Sequence, residues 1–378
     1  MKYFDFAATT PVDKRVFEAM KPYYEEDFFN ASGLYTGGKK TSAAVADARE
    51  KVMNALNVKE GRLIFTSGGT EADNLAIIGT ACRSESSRKA IAISAIEHHA
   101  ILESAESLKK YGFEIRILPV DCKGKIVLEK YKELVNEDVL LVSVMTANNE
   151  IGIIHDIKEL CAYAHEKGAI FHTDAVQAFP CLEPEPENSV VDMISVSSHK
   201  IYGPKGCGAL WLRDESLVTA LMHGGQQEDG YRGGTENVPA IAGFGKACEL
   251  LVSERTERAQ SCERKRKRLL DILLKEEGEN ILVNTDLDHS VPGILNVAFK
   301  DAEAEGMLFF LSREGFSLSM GSACNSKSVE PSHVVRAINV PEEYARGCVR
   351  ASFGNGNTDE DIDALGEALI RIYRKMKV

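Results

Sequence analysis

No apolar run in this sequence approaches the roughly 20 residues that a bilayer-spanning helix needs. The opening stretch, Met1-Lys-Tyr-Phe-Asp-Phe-Ala-Ala-Thr-Thr-Pro11, lacks the sustained apolar segment of a secretion signal. A soluble, cytoplasmic protein without membrane contact is expected. Excess positive charge is missing too: the formal net charge is −12, which argues against direct binding to nucleic acid, because phosphate backbones select clustered Lys and Arg. The nine cysteines (82, 122, 161, 181, 207, 248, 262, 324 and 348) include no C-x-x-C pair and no histidine spacing typical of zinc. They read as reduced thiols, most of them buried, and no resident metal is expected. Internal repeats and extended low-complexity sequence are absent, and Glu183-Pro-Glu-Pro-Glu187 reads as an acidic surface loop.

What is present is enough apolar sequence for at least one large core: 378 residues, 44% of them hydrophobic. At about 100–200 residues per domain, two domains are expected, a large one and a smaller one. Between Val12 and Leu212 short β-rich runs alternate with helical stretches. The runs are Arg62 to Thr66, Ala90 to Ser94, Glu114 to Pro119, Val139 to Met145, Ala169 to Thr173, Asp192 to Val196 and Gly208 to Leu212. This is the pattern of βαβ units and a largely parallel sheet. Runs such as Val139-Leu-Leu-Val-Ser-Val-Met145 are apolar almost throughout, as strands covered on both faces are. Ligands should then gather at the carboxyl ends of the strands. A long polar helix is expected from Pro239 to about Glu276, and the basic run Glu263-Arg-Lys-Arg-Lys-Arg268 inside it reads as a solvated face with pairs such as Glu254 with Arg258 and Glu263 with Lys267.

The strand ends carry the chemistry. In Ser195-Val-Ser-Ser-His-Lys-Ile-Tyr-Gly-Pro-Lys-Gly206, Lys200 stands just past an apolar strand among hydroxyls and glycines. An amine so placed suits a Schiff base with the aldehyde of pyridoxal phosphate, although most lysines are solvated surface charges. Ser67-Gly-Gly-Thr-Glu71 opens a helix after a strand. Its N–H groups could receive a phosphate, or it could be an ordinary capped turn with Thr70 as the starting residue. Asp174 follows the run Ala169 to Thr173, placed either to pair with a protonated pyridine nitrogen or to cap a helix. Glu97-His98-His99 and Asn148-Asn149-Glu150 end two further strands. A histidine such as His98 could stack on a ring and exchange protons near neutral pH, or be purely structural. These four strand ends of one sheet, facing one pocket with Lys200, matter more than any single member.

These residues carry a resemblance. Thr66-Ser-Gly-Gly-Thr-Glu-Ala-Asp-Asn74, Glu97-His98, Asn148-Asn-Glu-Ile-Gly152, His172-Thr-Asp-Ala-Val-Gln177, Ser197-Ser-His-Lys-Ile-Tyr-Gly-Pro-Lys-Gly206 and Gly321-Ser-Ala-Cys324 stand in the order and spacing of cysteine desulfurases. The chain resembles the NifS/IscS type, in the class V aminotransferase group of fold-type I pyridoxal phosphate enzymes. The likeness runs from Asp5-Phe-Ala-Ala-Thr-Thr-Pro11 to Val349-Arg-Ala-Ser-Phe-Gly354. It implies an α/β fold with a mostly parallel central sheet in a large cofactor-binding domain, residues 12–257. A smaller α+β domain, residues 1–11 and 258–378, would carry the cysteine loop. It makes Lys200 the Schiff-base lysine, His98 the ring-stacking histidine, Asp174 the partner of the pyridine nitrogen and Gln177 a neighbour of the ring's phenolic oxygen. Thr70, Ser197 and His199 would hold the phosphate together with the backbone around Gly69. Asn149, beside the cofactor, and Arg350 would grip the substrate carboxylate, a match of guanidinium fork to carboxylate. Thr235, in Arg232-Gly-Gly-Thr235, would reach the phosphate in the neighbouring subunit of a two-fold homodimer.

Cys324 lies in Ser317-Leu-Ser-Met-Gly-Ser-Ala-Cys-Asn-Ser-Lys-Ser328, small and polar residues without a packing pattern. Most free cysteines are buried hydrophobes, but a polar exposed setting permits the reactive thiolate. The resemblance makes Cys324 the nucleophile that takes sulfur from L-cysteine as a persulfide, leaves alanine, and passes the sulfur to an iron–sulfur scaffold or a tRNA-thiolation enzyme. A transient iron–sulfur ligand role for Cys324, shared with a scaffold, stays open. So does a selenocysteine lyase or a related aminotransferase, in which Cys324 matters less. Three positions depart from the common pattern: Gly69 for alanine, expected only to loosen the turn, Tyr35 for histidine and Asn355 for arginine.

Overall fold

The computed structural model describes residues 1–83, 87–182, 190–320 and 330–377; Cys324 and the acidic stretch 183–187 lie outside them. Every expected strand between Arg62 and Leu212 forms, with ends moved by one or two residues. They build a seven-stranded sheet in the order Arg62–Thr66, Gly208–Leu212, Met193–Ser197, Ile170–Asp174, Val139–Ser143, Ala90–Ser94, Glu114–Leu118. From Met193–Ser197 to Glu114–Leu118 all neighbours are parallel. Gly208–Leu212 departs from the expected βαβ series, running antiparallel to both its neighbours. The connection 198–207 is too short for a crossover helix, and a parallel return needs a dozen or more residues.

Alternate residues of one strand enter opposite apolar layers: Leu63 and Phe65 pack with Phe171 and Phe244, while Ile64 packs with Leu75, Ile77 and Leu210. Helices cover both faces, so the strands Ala90–Ser94, Val139–Ser143, Met193–Ser197 and Gly208–Leu212 are buried at every position. Apolar strands without alternation follow directly from that two-sided cover.

The expected long helix spans Val238–Glu277, capped by Asn237, whose side chain accepts from the Ala240 amide at 3.3 Å. Glu254 and Arg258 pair as expected, at 2.6 Å. The basic run is not simply a solvated face. Arg266 is 2% exposed and bonds to Ser290 Oγ, to the carbonyls of Val291 and Leu287, and to Glu263, which therefore does not serve Lys267. Lys265 donates to the Gly354 carbonyl. The run thus ties the helix to later segments through its donors.

Beyond the helix, Ile281–Val283, Ile294–Phe299 and Cys348–Ser352 form an antiparallel sheet. The helix Asp359–Met376 packs with it around a core that includes Leu273, Phe299, Leu369 and Tyr373. Phe4 joins this core, and Lys2–Tyr3 pairs in parallel with Phe316–Ser317. Among the described residues no helix is long and apolar enough to cross a membrane.

Candidate active site

The parallel strands end around one cavity of about 260 Å³. Lys200 enters it from the turn Ser198–Lys200 that follows Met193–Ser197. That turn doubles back tightly: a Cβ on Gly203 would stand 2.0 Å from Ser198 Oγ. Lys200 Nζ donates to the carbonyls of Ala7 and Ala8, so the amine is held between the sheet and the N-terminal segment. Gly69, Thr70, His98, Asn149, Asp174, Gln177, Ser197, His199 and Arg350 line the same cavity. Ten positions singled out from the sequence therefore meet in one place, counting Lys200 with these nine.

Asp174 ends the strand Ile170–Asp174 rather than following it, and Val176 N–H donates to its Oδ1 at 2.8 Å. Burial pushes its pKa up to about 6, against the pull of that amide and of Lys200. A buried carboxylate of this kind favours a cationic partner. The ordinary value is 3.8, so folding raises it. The stability linked to the protonated acid is complete below the ordinary value and is lost as pH rises through about 6. Asp174→Asn should therefore gain thermal stability relative to the parent as pH goes from 5 to 8, by a few degrees, in unfolding scans of the cofactor-free proteins; a constant difference would contradict the burial argument.

His98 caps the helix His99–Ser107, its Nδ1 accepting from Ala100 N–H at 3.1 Å. Burial lowers its pKa to about 4, helped by Lys200 and the nearby histidines. The neutral ring therefore carries its hydrogen on Nε2, a tautomer assigned from the capping bond. His199 is lowered to about 4 by burial and by Lys200, and its Nδ1 bonds to Thr9 Oγ1 at 3.1 Å. Asn148 shapes the backbone of its turn. Its Oδ1 accepts from the amides of Glu150 and Ile151 and its Nδ2 donates to the Ile96 carbonyl, leaving Asn149 to face the cavity.

Pyridoxal phosphate, the cofactor of this class of enzyme, can be tested against the residues present. Two side-chain oxygens on the lining, Gln177 Oε1 and Ser197 Oγ, are buried without a hydrogen-bond partner among the described residues. Buried polar atoms normally have one. The helix Gly69–Arg83 points its N-terminus at the cavity, where its first amides have no partner within the helix. A phosphate and an aromatic ring bearing oxygen and nitrogen supply the missing partners, so the residues fit the group. Gly69 does more than loosen its turn: a Cβ there would come within 2.9 Å of Val176 Cγ2, so Val176 occupies the space an alanine would need.

Thr235 is not among these residues. It lines a separate cavity with Gly206, Gln227 and Asn237, while Arg232 is held by Glu71 at 2.9 Å. Cys324 lies outside the described residues. None of the eight described cysteines lines this cavity of about 260 Å³, although Cys181 and Cys262 line an adjoining one that Lys200 also borders. Cys161, Cys207, Cys248 and Cys348 are buried, Cys181 and Cys262 intermediate, and Cys82 and Cys122 exposed. Asn355 donates its amide to the Tyr202 hydroxyl at 2.7 Å, and Tyr35 is exposed.

Sequence reasoning missed two acids. Asp73, 1% exposed, lines the cavity one helical turn after Gly69 and Thr70. That i, i+3/i+4 spacing places it on the same helix face and could have found it. Burial and the nearby Asp174 raise its pKa well above the usual range. Asp5 pairs with Arg350 at 2.6 Å; a separation of 345 residues gives no local signal for it.

Comparison with known proteins agrees with this geometry. The sequence profile of the class-V aminotransferases matches residues 2–365. A cysteine desulfurase IscS of Dictyoglomus turgidum is 43% identical over 99% of this chain and 95% of its own length. A solved NifS-like protein superposes with a TM-score of 0.91 at 34% identity, covering 99% of both chains. A structure of SspA in complex with cysteine gives 0.83 at 34% identity, covering 95% of this chain and all of that one. With a lysine, an acid and a helix N-terminus converging as that fold requires, the chain belongs to the class-V aminotransferase family, among its pyridoxal phosphate-dependent cysteine desulfurases.

Proposed function

We infer that this protein takes sulfur from L-cysteine onto Cys324, releases L-alanine and passes the sulfur to an acceptor protein. The observation that carries the reading is the convergence of Lys200, Asp174, His98 and Arg350 on one cavity. Pyridoxal phosphate, when bound, supplies an aldehyde for the amino group and a ring that draws electrons from the α-carbon. Thr70, Ser197, His199 and the amides around Gly69 would hold its phosphate, and Asp174 and Gln177 its ring nitrogen and phenolic oxygen. Arg350 and Asn149 hold the substrate carboxylate. Lys200, displaced by the substrate amine, takes the α-proton on Nζ. His98, neutral and fixed by its cap on the cavity wall, would stack on the ring.

The Cys324 thiolate attacks the substrate sulfur. An S–S bond forms, the Cβ–S bond breaks with its electron pair staying on carbon, and the carbon fragment takes one proton at Cβ, recovers the α-proton from Lys200 Nζ and leaves as alanine. Support for Cys324 comes from the other thiols. Burial pushes those of Cys161, Cys181, Cys207, Cys248, Cys262 and Cys348 up, away from the reactive thiolate, and Cys82 and Cys122 do not line the cavity.

Thr235 has its role in a homodimer, reaching the partner's phosphate; its distance from the chain's own Lys200 cavity supports this. The same reading assigns residues 12–257 to a large domain and residues 1–11 with 258–378 to a small one. It places the protein in the cytoplasm and makes the acceptor an iron–sulfur scaffold or a tRNA-thiolation enzyme. Incubation with L-cysteine and a thiol reductant should yield alanine and sulfide in equal amounts. Alanine without sulfide, or a requirement for a keto acid, would refute desulfuration in favour of transamination.

A further inference from the structure

Arg350 stands in the strand Cys348–Ser352 at 1% exposure, with its guanidinium already engaged. One terminal nitrogen donates to the Asn149 carbonyl at 2.7 Å and the other to Asp5 Oδ1 at 2.6 Å. Nε is buried, out of reach from the cavity and without a partner among the described residues. A carboxylate entering the cavity therefore meets the terminal nitrogens, one of which Asp5 already holds.

Asp5 is there by construction. The segment around it is bound on both sides: Ser352 N–H donates to the Phe4 carbonyl at 2.8 Å, Ala7 N–H to Ser352 Oγ at 2.8 Å, and Thr10 N–H to the His199 carbonyl at 3.0 Å. The next turn supplies the carbonyls of Ala7 and Ala8 that hold Lys200. A single segment thus contacts both cations of the site, one through backbone oxygens and the other through a carboxylate.

We propose that Asp5 is a positioning residue acting through Arg350: its carboxylate occupies the terminal nitrogen that an amino-acid carboxylate must take, so affinity for substrate is set by competition with a resident anion. This rests on the assignment of Arg350 to the substrate carboxylate. Two carboxylates on one guanidinium repel each other strongly where water is excluded. The resident acid keeps Arg350 compensated between turnovers and keeps carboxylate binding weak enough for alanine to leave. Removing its charge while keeping an oxygen acceptor should tighten carboxylate binding, the opposite of what loss of a merely structural contact would do.

The test uses the cofactor-loaded protein and propionate, which has no amino group to displace Lys200, titrated calorimetrically at constant ionic strength. Asp5→Asn should bind propionate at least about fivefold more tightly than the parent, with a matching fall in KM for L-cysteine and no rise in kcat. Asp5→Glu, which restores the charge, should return toward the parent, and Arg350→Lys should lose most propionate binding in either background. Asp5→Ser offers the same neutral acceptor if Asp5→Asn does not accumulate folded. Equal or weaker binding by the neutral variants, with binding still dependent on Arg350, would overturn the role of Asp5 alone. Propionate binding indifferent to Arg350→Lys would overturn the carboxylate assignment and the inference with it.

Discussion

Lys200→Ala is expected to lower turnover of L-cysteine by at least about 10³-fold, within the range a positioned acid–base group supplies, and to abolish the absorbance near the visible edge that a lysine-linked cofactor gives. The role proposed for the side chain sets two tasks that no neighbour can take over. It must offer an uncharged amine to an aldehyde, and once displaced it must accept a proton from the α-carbon. In the structure Nζ reaches the cavity and is held by the carbonyls of Ala7 and Ala8. The other bases nearby are poorly suited to replace it. His98 uses Nδ1 as a helix cap and is lowered to about 4, and His199 is lowered to about 4 as well. Lys200→Arg should be as inactive as the alanine variant, because a guanidinium keeps the charge but cannot deprotonate. Retention of the absorbance band by either variant would remove Lys200 from its assigned role.

For Cys324→Ala, sulfide and alanine release from L-cysteine should fall by at least about 10²-fold while the cofactor spectrum and its response to bound amino acid persist. That split separates activation of the substrate from removal of its sulfur. Cys324→Ser should behave alike, since an alcohol at neutral pH holds almost no anion while a thiol holds a useful fraction. Undiminished sulfide release would exclude the persulfide route through Cys324. Turnover of selenocysteine that survives in Cys324→Ala while cysteine turnover is lost would mark the selenium substrate as independent of this thiol.

Much of the fold was readable because its signals are local. Strands covered on both faces are apolar almost throughout, and Val139–Ser143 and Ala90–Ser94 are so up to a final serine. The long helix Val238–Glu277 matched its expected ends within one residue, since a capping Asn237, an early Pro239 and a polar, apolar-striped sequence all sit in the segment itself. Most of the candidate site was readable for a related reason. In a parallel sheet, residues after successive strands share one edge, so His98, Asn149, Asp174 and Lys200 could be placed together from their positions along the chain. The reversal of Gly208–Leu212 was missed, although the shortness of the connection 198–207 was in view.

The sequence by itself determined the strands, the polar groups at their ends and the reactive amine, because periodicity, capping and strand-end position act over a few residues. Only the tertiary structure decided the charge state of the pocket and the partners of its cations. Asp73 has its pKa raised through complete burial beside Asp174. Arg350 meets Asp5 because residues 1–4 pack into the C-terminal core and bring the chain's beginning beside the strand Cys348–Ser352. Burial and pairing across the chain arise from closing distant segments on a common core, which no local pattern of residue types specifies.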